Sequence, residues 1–436
     1  MLRPWCGVLL LLPTALALGE VPGVGVDQPR TGEGAAAVRT EFGALPVLGY
    51  DSDTGLLLGA LANLAAFDGR TYPYAWRLQA NLAASFRSGP GGLSMPLHDD
   101  LIFLDLPGLR GDLLRVMAEV SFRRYHDAAW YGPGGDSRAA TPEGLSTGAA
   151  SSYHRFRRTS PAAALNSRWR LWEAGAGPAR RRLDVLVGGE IAYNTITVLR
   201  GSLLASQLEE ASGSGPDAAV LRELLRGTGA LFLPKLRLGL LYDSRDHEVT
   251  PTRGLLVELS TRLAPAPAHL RHAGFFASAT GFVPLGERLV LGGRLLGDAL
   301  VGHPPFYALS EAGVLTPRFT PGGAFTDRGV LLQRFAGKMK LLANLELRGE
   351  LARFEAGGQR LRLGLTAFGD CGRVLADWHR VALAGRDVDG SWSRVAAGLG
   401  GGLRLRWGET LVVRVDVAHS PTERTNGLYV TVGEVM

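Results

Sequence analysis

Polar and apolar side chains alternate along many short segments of this chain, and this pattern restricts its fold more than any other feature. In the segment 360–372, Arg362, Thr366 and Asp370 fall on one face of an extended chain, opposite a face of mainly leucine, alanine and glycine. Charged side chains are costly in a dry core but are tolerated in a water-filled lumen. A one-sided soluble sheet alternates in the same way, but repetition over many strands with few helices favours an all-β transmembrane barrel.

Sixteen candidate strands follow one another, and an even number is typical of antiparallel outer-membrane barrels. They are 45–50, 56–64, 73–87, 94–105, 113–125, 150–158, 181–196, 229–245, 254–263, 272–284, 287–301, 335–349, 360–372, 393–406, 410–419 and 426–435. We therefore predict a 16-stranded antiparallel barrel, with an inward-folded loop between strands 11 and 12.

The lengths of the connections support the same fold. Connections after even-numbered strands are mostly short, whereas long ones follow odd-numbered strands at 126–149, 197–228, 302–334 and 373–392. Outer-membrane barrels have short periplasmic turns and longer external loops, so we expect both termini in the periplasm. The connection 159–180 does not follow this rule, because it is long although it comes after an even-numbered strand. The segment 203–226 is predicted to contain a short helix in an external loop.

The N-terminal residues have the features of a secretory signal. Arg3 precedes the apolar run Gly7–Leu12, and small residues at Ala15, Ala17 and Gly19 offer a cleavage point. We expect residues 1–19 to be a signal peptide, 20–42 a flexible periplasmic leader and 43–436 the barrel, which places the protein in the bacterial outer membrane. After cleavage Cys371 is the remaining cysteine, so neither a disulfide within the chain nor a cysteine metal site is expected.

Neither the charge nor the polar clusters point to an enzyme or to a nucleic-acid-binding protein. The formal charge of +6 is spread along the chain without blocks of like charge. The cluster His98–Asp100 is interpreted as a turn rather than a metal site, and neighbours such as His419 and Ser420 face opposite sides of a strand. The glycines 400–402 are not followed by the lysine of a phosphate-binding loop, so we interpret them as a kink in a barrel strand. We predict no catalytic residues, metal or cofactor.

One glycine-rich stretch, Gly-Gly-Ala-Phe-Thr-Asp-Arg-Gly, stands out between strands 11 and 12. Gly322, Gly323 and Gly329 allow a tight fold, and between them lies the permanently charged Arg328. A charge that leaves water needs a partner. We predict that Arg328 lies in the lumen, paired with Asp370 and also with Glu346, and that it holds its loop as a plug.

These stretches, taken together, resemble the BamA/TamA, or bacterial surface antigen, superfamily of outer-membrane barrels. Four places match in the same order along residues 45–436. They are Tyr-Asp-Ser-Arg-Asp at 242–246 with Pro251 and Gly254, the pair Arg328-Gly329, Phe-Gly-Asp-Cys-Gly at 368–372, and a closing pair of strands from Arg414 to Gly433.

The resemblance implies roles for several residues. Asp370 matches the acidic residue that the loop arginine engages, with Phe368 and Gly372 in the same motif. Asp243, Arg245, Asp246, Pro251 and Gly254 match a periplasmic turn, whose residues we interpret as a structural network held by Arg245. The residue before the arginine–glycine pair, aliphatic in most relatives, is Asp327, and the aromatic residue after it is replaced by Val330.

The resemblance also bears on function. Relatives that assemble or secrete proteins carry periplasmic POTRA domains, and this sequence suggests a member without them. We expect a role in outer-membrane biogenesis or in protein or lipid translocation, together with separate periplasmic partner proteins and with lipopolysaccharide and phospholipid around the barrel. A passive channel or a structural surface protein without translocation activity is the alternative.

Overall fold

The computed structural model describes residues 39–436 except 69–70, 72–73, 90–91, 138, 176–178, 316, 357–358 and 408–410. The predicted signal peptide, 1–19, and most of the predicted leader lie outside the described residues. The end of that leader does not: the first strand begins at Arg39, so residues 39–42 belong to the sheet.

Sixteen antiparallel strands form one closed barrel, which confirms the predicted fold class. We number them in chain order as β1 (Arg39–Asp51), β2 (Gly55–Phe67), β3 (Trp76–Gly89), β4 (Leu97–Gly108), β5 (Leu114–Ala129), β6 (Arg155–Ala174), β7 (Arg181–Val198), β8 (Gly229–Asp243), β9 (Gly254–Ala264), β10 (His272–Pro284), β11 (Leu289–Gly302), β12 (Met339–Ala356), β13 (Gln359–Leu375), β14 (Ala396–Trp407), β15 (Leu411–Ser420) and β16 (Thr425–Val432). A short strand, Gly92–Ser94, extends the end of β3. Each strand pairs with the next, and β1 meets β16 to close the sheet.

Alternation decides which side chains face into the barrel. On β12, Lys340 and Glu346 are 1% and 0% exposed, whereas Leu341 and Leu345 are 60% and 56% exposed. The charged residues therefore line the interior and the leucines form the outer surface, as expected for a barrel surrounded by lipid. Among the described residues, no helix is both long and apolar enough to cross a membrane.

The connections differ at the two ends of the barrel. We call the end that carries the long connections the loop end, and the opposite end the turn end. The helices of the described chain are α1 (Leu109–Asp112), α2 (Thr147–Ser152), α3 (Leu203–Ser212) and α4 (Ala218–Leu224), with 3₁₀ turns at Ala268–Leu270 and Phe306–Ser310. All except α1 lie at the loop end. The single helix predicted within 203–226 is thus a pair, α3 and α4.

The loops at the loop end share an apolar core, which we call the cap cluster. Trp130, Leu204, Leu221, Phe306 and Val381 belong to five different segments of this end, and all are buried in one cluster. The ring of Phe306 packs edge-on against the ring of Trp130 at 5.5 Å between centroids. The long loops therefore form one packed layer over the strands that they connect.

Two predictions about the strands are wrong. Residues 147–152 form a helix, and β6 runs to Ala174, so the supposedly long connection 159–180 is mostly strand. A bulge between Arg170 and Trp172 shifts the register there, which disturbs the alternation seen in the sequence. The predicted turn at His98–Asp100 lies within β4, where the Arg123 guanidinium donates a hydrogen bond to Asp99 at 3.1 Å.

Candidate functional site

Arg328 of the glycine-rich stretch is completely enclosed by the protein. Its side chain is 0% exposed. Nε and Nη2 donate to the two carboxylate oxygens of Asp370 at 2.7 and 2.9 Å, and the backbone N–H of Arg328 donates to the same carboxylate at 3.1 Å. This two-point contact is the strongest geometry available to a guanidinium–carboxylate pair. The predicted pair, Arg328 with Asp370, is thus present between the loop and β13.

Two more carboxylates surround the same guanidinium. Nη1 of Arg328 donates to Glu346 of β12 at 2.7 Å and lies 3.5 Å from Asp416 of β15. The guanidinium also stands over the ring of Phe368, 3.4 Å from its centroid. Burial by itself lowers the pKa of Arg328, but the bonds and charges of the carboxylates outweigh burial and raise its pKa above the ordinary value.

Further arginines balance these carboxylates from the barrel wall. Asp416 accepts from Arg404 at 2.5 Å and from Arg414 at 3.2 Å, and Arg348 donates to Glu346 at 2.8 Å. The result is a continuous ionic network on the inner face of β12 to β15. Buried charges of this kind are tolerated only when each has partners, so the loss of one member leaves the others unpaired.

The backbone of the loop is held by close approaches that only glycine permits. A Cβ atom added at Gly398 of β14 would lie 1.8 Å from the carbonyl oxygen of Arg328, and one at Gly372 of β13 would lie 2.6 Å from Cβ of Pro321. Gly322 and Gly329 adopt positive φ values of 125° and 92°, which other residues rarely adopt. The loop therefore lies directly on the bare backbone of two strands.

Contacts from the last strand complete the seat of the loop. The N–H of Gly329 donates to the hydroxyl of Tyr429 at 3.0 Å, and the hydroxyl of Thr425 donates to the carbonyl of Gly329 at 2.5 Å. Asn344 of β12 donates to the carbonyl of Thr326 at 2.6 Å. The loop thus contacts both β12 and the final strand, β16.

Asp327, next to the arginine, differs in character from its neighbours. Its side chain is fully buried, and neither carboxylate oxygen has a hydrogen-bond partner among the residues that the structure describes. Burial, followed by the charge of Asp370, raises the pKa of Asp327 well above 3.8. Burial therefore shifts the protonation equilibrium of this side chain toward the neutral acid in the folded protein.

The predicted turn motif forms two separate sets of contacts at the turn end. Nε and Nη2 of Arg245 donate to the carboxylate oxygens of Asp243 at 3.0 and 2.8 Å. Asp246 accepts from the backbone of Thr252 at 2.9 Å and of Arg253 at 3.2 Å. Burial raises the pKa of Asp246, but the hydrogen bonds from the Thr252 hydroxyl and from these backbone groups outweigh burial and leave the pKa below its ordinary value.

Close packing also fixes the end of this turn. Pro251 is buried, and Gly254 has a positive φ of 103°. A Cβ atom added at Gly254 would lie 2.2 Å from the carbonyl oxygen of Ser244. Any residue larger than glycine would therefore strain the start of β9 at that point.

The closure between β1 and β16, which we call the seam, is the shortest strand pairing in the wall of the barrel. β1 pairs with β2 along its whole length, from Arg39 with Phe67 to Asp51 with Gly55. Against β16, the ladder of the described chain pairs Tyr50 with Val430 and Asp51 with Tyr429, and beyond it the N–H of Ser52 donates to the carbonyl of Leu428 at 3.1 Å. Residues 39–48 of β1 thus have a free edge, whereas Gly49 packs against the backbone of Val430 and the paired positions lie at the loop end.

The chain turns inward after β16, so the seam does not extend beyond Val432. Gly433 has φ +93°, and the residues after it leave the sheet. Inside the barrel, Arg404 donates to Glu434 at 3.1 Å and Arg294 donates to the carbonyl of Val435 at 2.8 Å. The end of the chain binds interior arginines and does not continue the ladder beside β1.

Several residues of this site were not identified in the sequence as loop partners. Asn344 shares a face with Glu346, so alternation could have indicated it, and Asp416 was noted only in the closing pair of strands. Tyr429 contacts the loop through a strand distant in sequence, and no local pattern indicates that contact. The described residues contain no group of three or more His, Cys, Asp or Glu side chains that could hold a metal ion.

Comparison with known proteins gives one family and several structures. A family model described as the Omp85 superfamily domain matches residues 178–435, more than half of the chain. The structure is similar to BamA from Haemophilus ducreyi lacking POTRA domains 1–3, with 13% identity, a TM-score of 0.54, and coverage of 91% of this chain and 70% of that one. CdiB from Escherichia coli gives 13% identity, a TM-score of 0.53, and coverage of 91% and 62%. A search of curated protein sequences found no match.

Proposed function

This chain belongs to the Omp85 superfamily, and from that premise we propose that it assembles or translocates other molecules in the outer membrane through an opening at the seam. The observation that carries this proposal is the short pairing of β1 with β16. A strand edge in hydrocarbon leaves backbone donors and acceptors without partners, so it favours pairing with another strand. The free edge of residues 39–48 suits a client strand or an amphipathic lipid entering from the membrane.

The interior of the barrel supports this route over a passage along the barrel axis. The loop with Arg328 lies against the inner face of β12 to β15, and the cap cluster covers the loop end. Both features obstruct a passive channel, the alternative function. We propose that the loop acts as a plug fixed by Arg328, Asp370 and Glu346, and that separate periplasmic proteins deliver the clients.

A disulfide across the seam tests the proposal. In a chain whose Cys6 and Cys371 are replaced by serine, Tyr50→Cys and Val430→Cys join the paired positions of β1 and β16. Purified protein in liposomes is then tested for accelerated insertion of a small outer-membrane barrel. We expect the oxidised pair to slow insertion by about tenfold or more and a reductant to restore it.

The matched control joins two strands that are paired throughout. Leu58→Cys and Ala84→Cys link β2 to β3 at outward-facing positions that are directly opposite each other. Full insertion with the seam oxidised would contradict the proposal. A steady conductance of the intact protein in planar bilayers, unchanged by deletion of 303–334, would favour the passive channel.

A further inference from the structure

A groove of about 440 Å³ crosses the outer surface of β9 to β13 near the loop end. Its floor consists of small outward-facing residues on adjacent strands: Ala277 of β10 lies opposite Gly297 of β11, and Ala299 lies two residues further along β11. Leu259 of β9 and Leu341 of β12 flank the floor in the same cross-strand row. The groove is therefore a depression in the lipid-facing surface, bounded by leucines.

A cation stands at one end of this groove. Arg373 of β13 lies directly opposite Leu341, on the outer face of the sheet. Its Nη1 donates to the backbone carbonyls of Ser391, Trp392 and Arg394 at 2.8, 3.0 and 2.6 Å. None of the salt bridges in the described part of the chain involves Arg373, whereas Arg262 and Arg328 in the interior are paired with carboxylates. The guanidinium is thus held by backbone carbonyls and forms no salt bridge among the described residues, although its charge acts on the buried carboxylate of Asp389.

An aromatic side chain covers the same end. Trp392 is 78% exposed, and the guanidinium of Arg373 lies 5.2 Å from the centre of its ring. Tryptophan prefers the boundary between hydrocarbon and head groups, so this end of the groove lies at the level of the head groups. A cation at that level that forms no salt bridge attracts an anion, and a guanidinium suits phosphate.

We propose that this groove binds a phosphorylated, acylated lipid of the outer leaflet, of the lipid A class. One acyl chain lies over Ala277, Gly297 and Ala299, and a phosphate meets Arg373 beside Trp392. The site is independent of the seam, because it lies on β9 to β13 and its lipid stays outside the barrel. The proposal requires that the loop end of the barrel faces the cell surface. Outer-membrane barrels carry their long loops on that side.

Two substitutions test the contribution of the charge and the contribution of the groove's shape separately. Arg373→Gln removes the charge and keeps a side chain that can donate to the loop carbonyls. Gly297→Leu fills the floor; a Cβ there meets only Leu341 at 3.5 Å, and the backbone is extended, so the strand accepts it. Should that variant fail to fold, Ala299→Leu fills the adjacent part of the floor.

The chain offers a close control for each substitution. Gly293→Leu lies four residues away on the same face of β11, and its Cβ also has room, with Leu345 at 3.8 Å. Arg157→Gln removes an exposed outward-facing charge near the loop end of β6. Heat-modifiability on gels identifies the folded fraction of every variant.

The measurement is native mass spectrometry of the protein in detergent, titrated with lipid A. We expect Arg373→Gln and Gly297→Leu to weaken binding by about tenfold or more, while both controls bind as the wild type does. Lipid A without its phosphates and phosphatidylglycerol should bind more weakly than lipid A. Unchanged binding by both test variants would overturn the site, and equal binding of the dephosphorylated lipid or of phosphatidylglycerol would overturn the assignment to phosphorylated lipid A.

Discussion

The hydroxyl of Tyr429 accepts a hydrogen bond from the backbone N–H of Gly329 at 3.0 Å, and the same tyrosine pairs across the seam with Asp51. One residue of the last strand therefore contacts both the loop that carries Arg328 and the first strand of the barrel. Any movement of β16 away from β1 must shift or break the contact with the loop. The position of the loop against the barrel wall and the closure of the seam are thus coupled through Tyr429.

Replacement of Tyr429 by phenylalanine tests this link. The change leaves the N–H of Gly329 without its acceptor, and an unpaired buried donor costs about 1–3 kcal/mol. We expect urea unfolding in detergent micelles to show a loss of this size. Tyr193→Phe, at an exposed outward-facing position of β7, is the control and should change little. A similar loss in both variants would argue against a special role for Tyr429.

A charge exchange tests the pairing of Arg328 with Asp370. Arg328→Glu places a fourth carboxylate beside Asp370, Glu346 and Asp416, and disruption of a buried pair costs roughly 3–5 kcal/mol. Adding Asp370→Arg should restore part of that stability, measured by the temperature at which the barrel unfolds on gels. Arg380→Glu changes an exposed loop arginine and should have almost no effect. If the double variant is no more stable than Arg328→Glu, the pairing is not what holds the loop.

Gly398→Ala should displace the loop without any change of charge. The new methyl group would lie 1.8 Å from the carbonyl oxygen of Arg328, so the loop must move away from β14. We expect the loop to become accessible to added protease and the conductance of the barrel in planar bilayers to rise. Gly369→Ala on β13 is the control, because its nearest neighbour is a side-chain carbon of Leu399 at 3.6 Å. Equal protease resistance in the two variants would exclude a tight seat at Gly398.

Asp327 makes stability depend on pH in a defined direction. Its pKa is raised in the folded protein, so the unfolded chain loses this proton first as pH rises, and stability falls from about pH 4 upward until the folded pKa is reached. Asp327→Asn cannot lose a proton. We expect the variant to equal the wild type near pH 4 and to unfold at a temperature several degrees higher at pH 8.

The control for this prediction is Asp112→Asn at an exposed position of the turn end. The difference in unfolding temperature between pH 4 and pH 8 should be the same in this variant as in the wild type. A parallel pH dependence of Asp327→Asn and wild type would show that the carboxyl group of Asp327 ionises normally.

Gly433→Val should lengthen the seam. Valine disfavours the positive φ of Gly433 and prefers an extended chain, and nothing lies within 4 Å of a Cβ at this position. The residues after Val432 should then continue beside β1. Cysteines at Leu48 and Val432, the next outward-facing pair in register, should form a disulfide more completely in this variant than in the parent. No gain in disulfide formation would mean that the interior arginines, rather than Gly433, hold the end of the chain inside.

The barrel could be predicted well from the sequence because every strand meets the same constraint. Its outward side chains face lipid and are apolar, and its inward side chains face water and are polar. The sequence predicted Arg328 with Asp370 from the need of a buried charge for a partner and from a family resemblance. It failed at β6, where the bulge beside Trp172 shifts the alternation and a short helix precedes the strand. Alternation also says which face of a strand is polar, but not which distant strands a loop touches, so the contacts of Asp416 and Tyr429 emerge only from the folded structure.

The cap cluster has a consequence for recognition of the protein by antibodies. Its helices α3 and α4 contribute Leu204, Leu221 and Leu224 to a core shared with Trp130 and Phe306, so the apolar faces of these segments point inward. An antibody raised against a free peptide spanning 203–224 would find those faces buried in the folded protein. Surface epitopes are therefore expected to be discontinuous, assembled from several loops at once, and to vanish on denaturation.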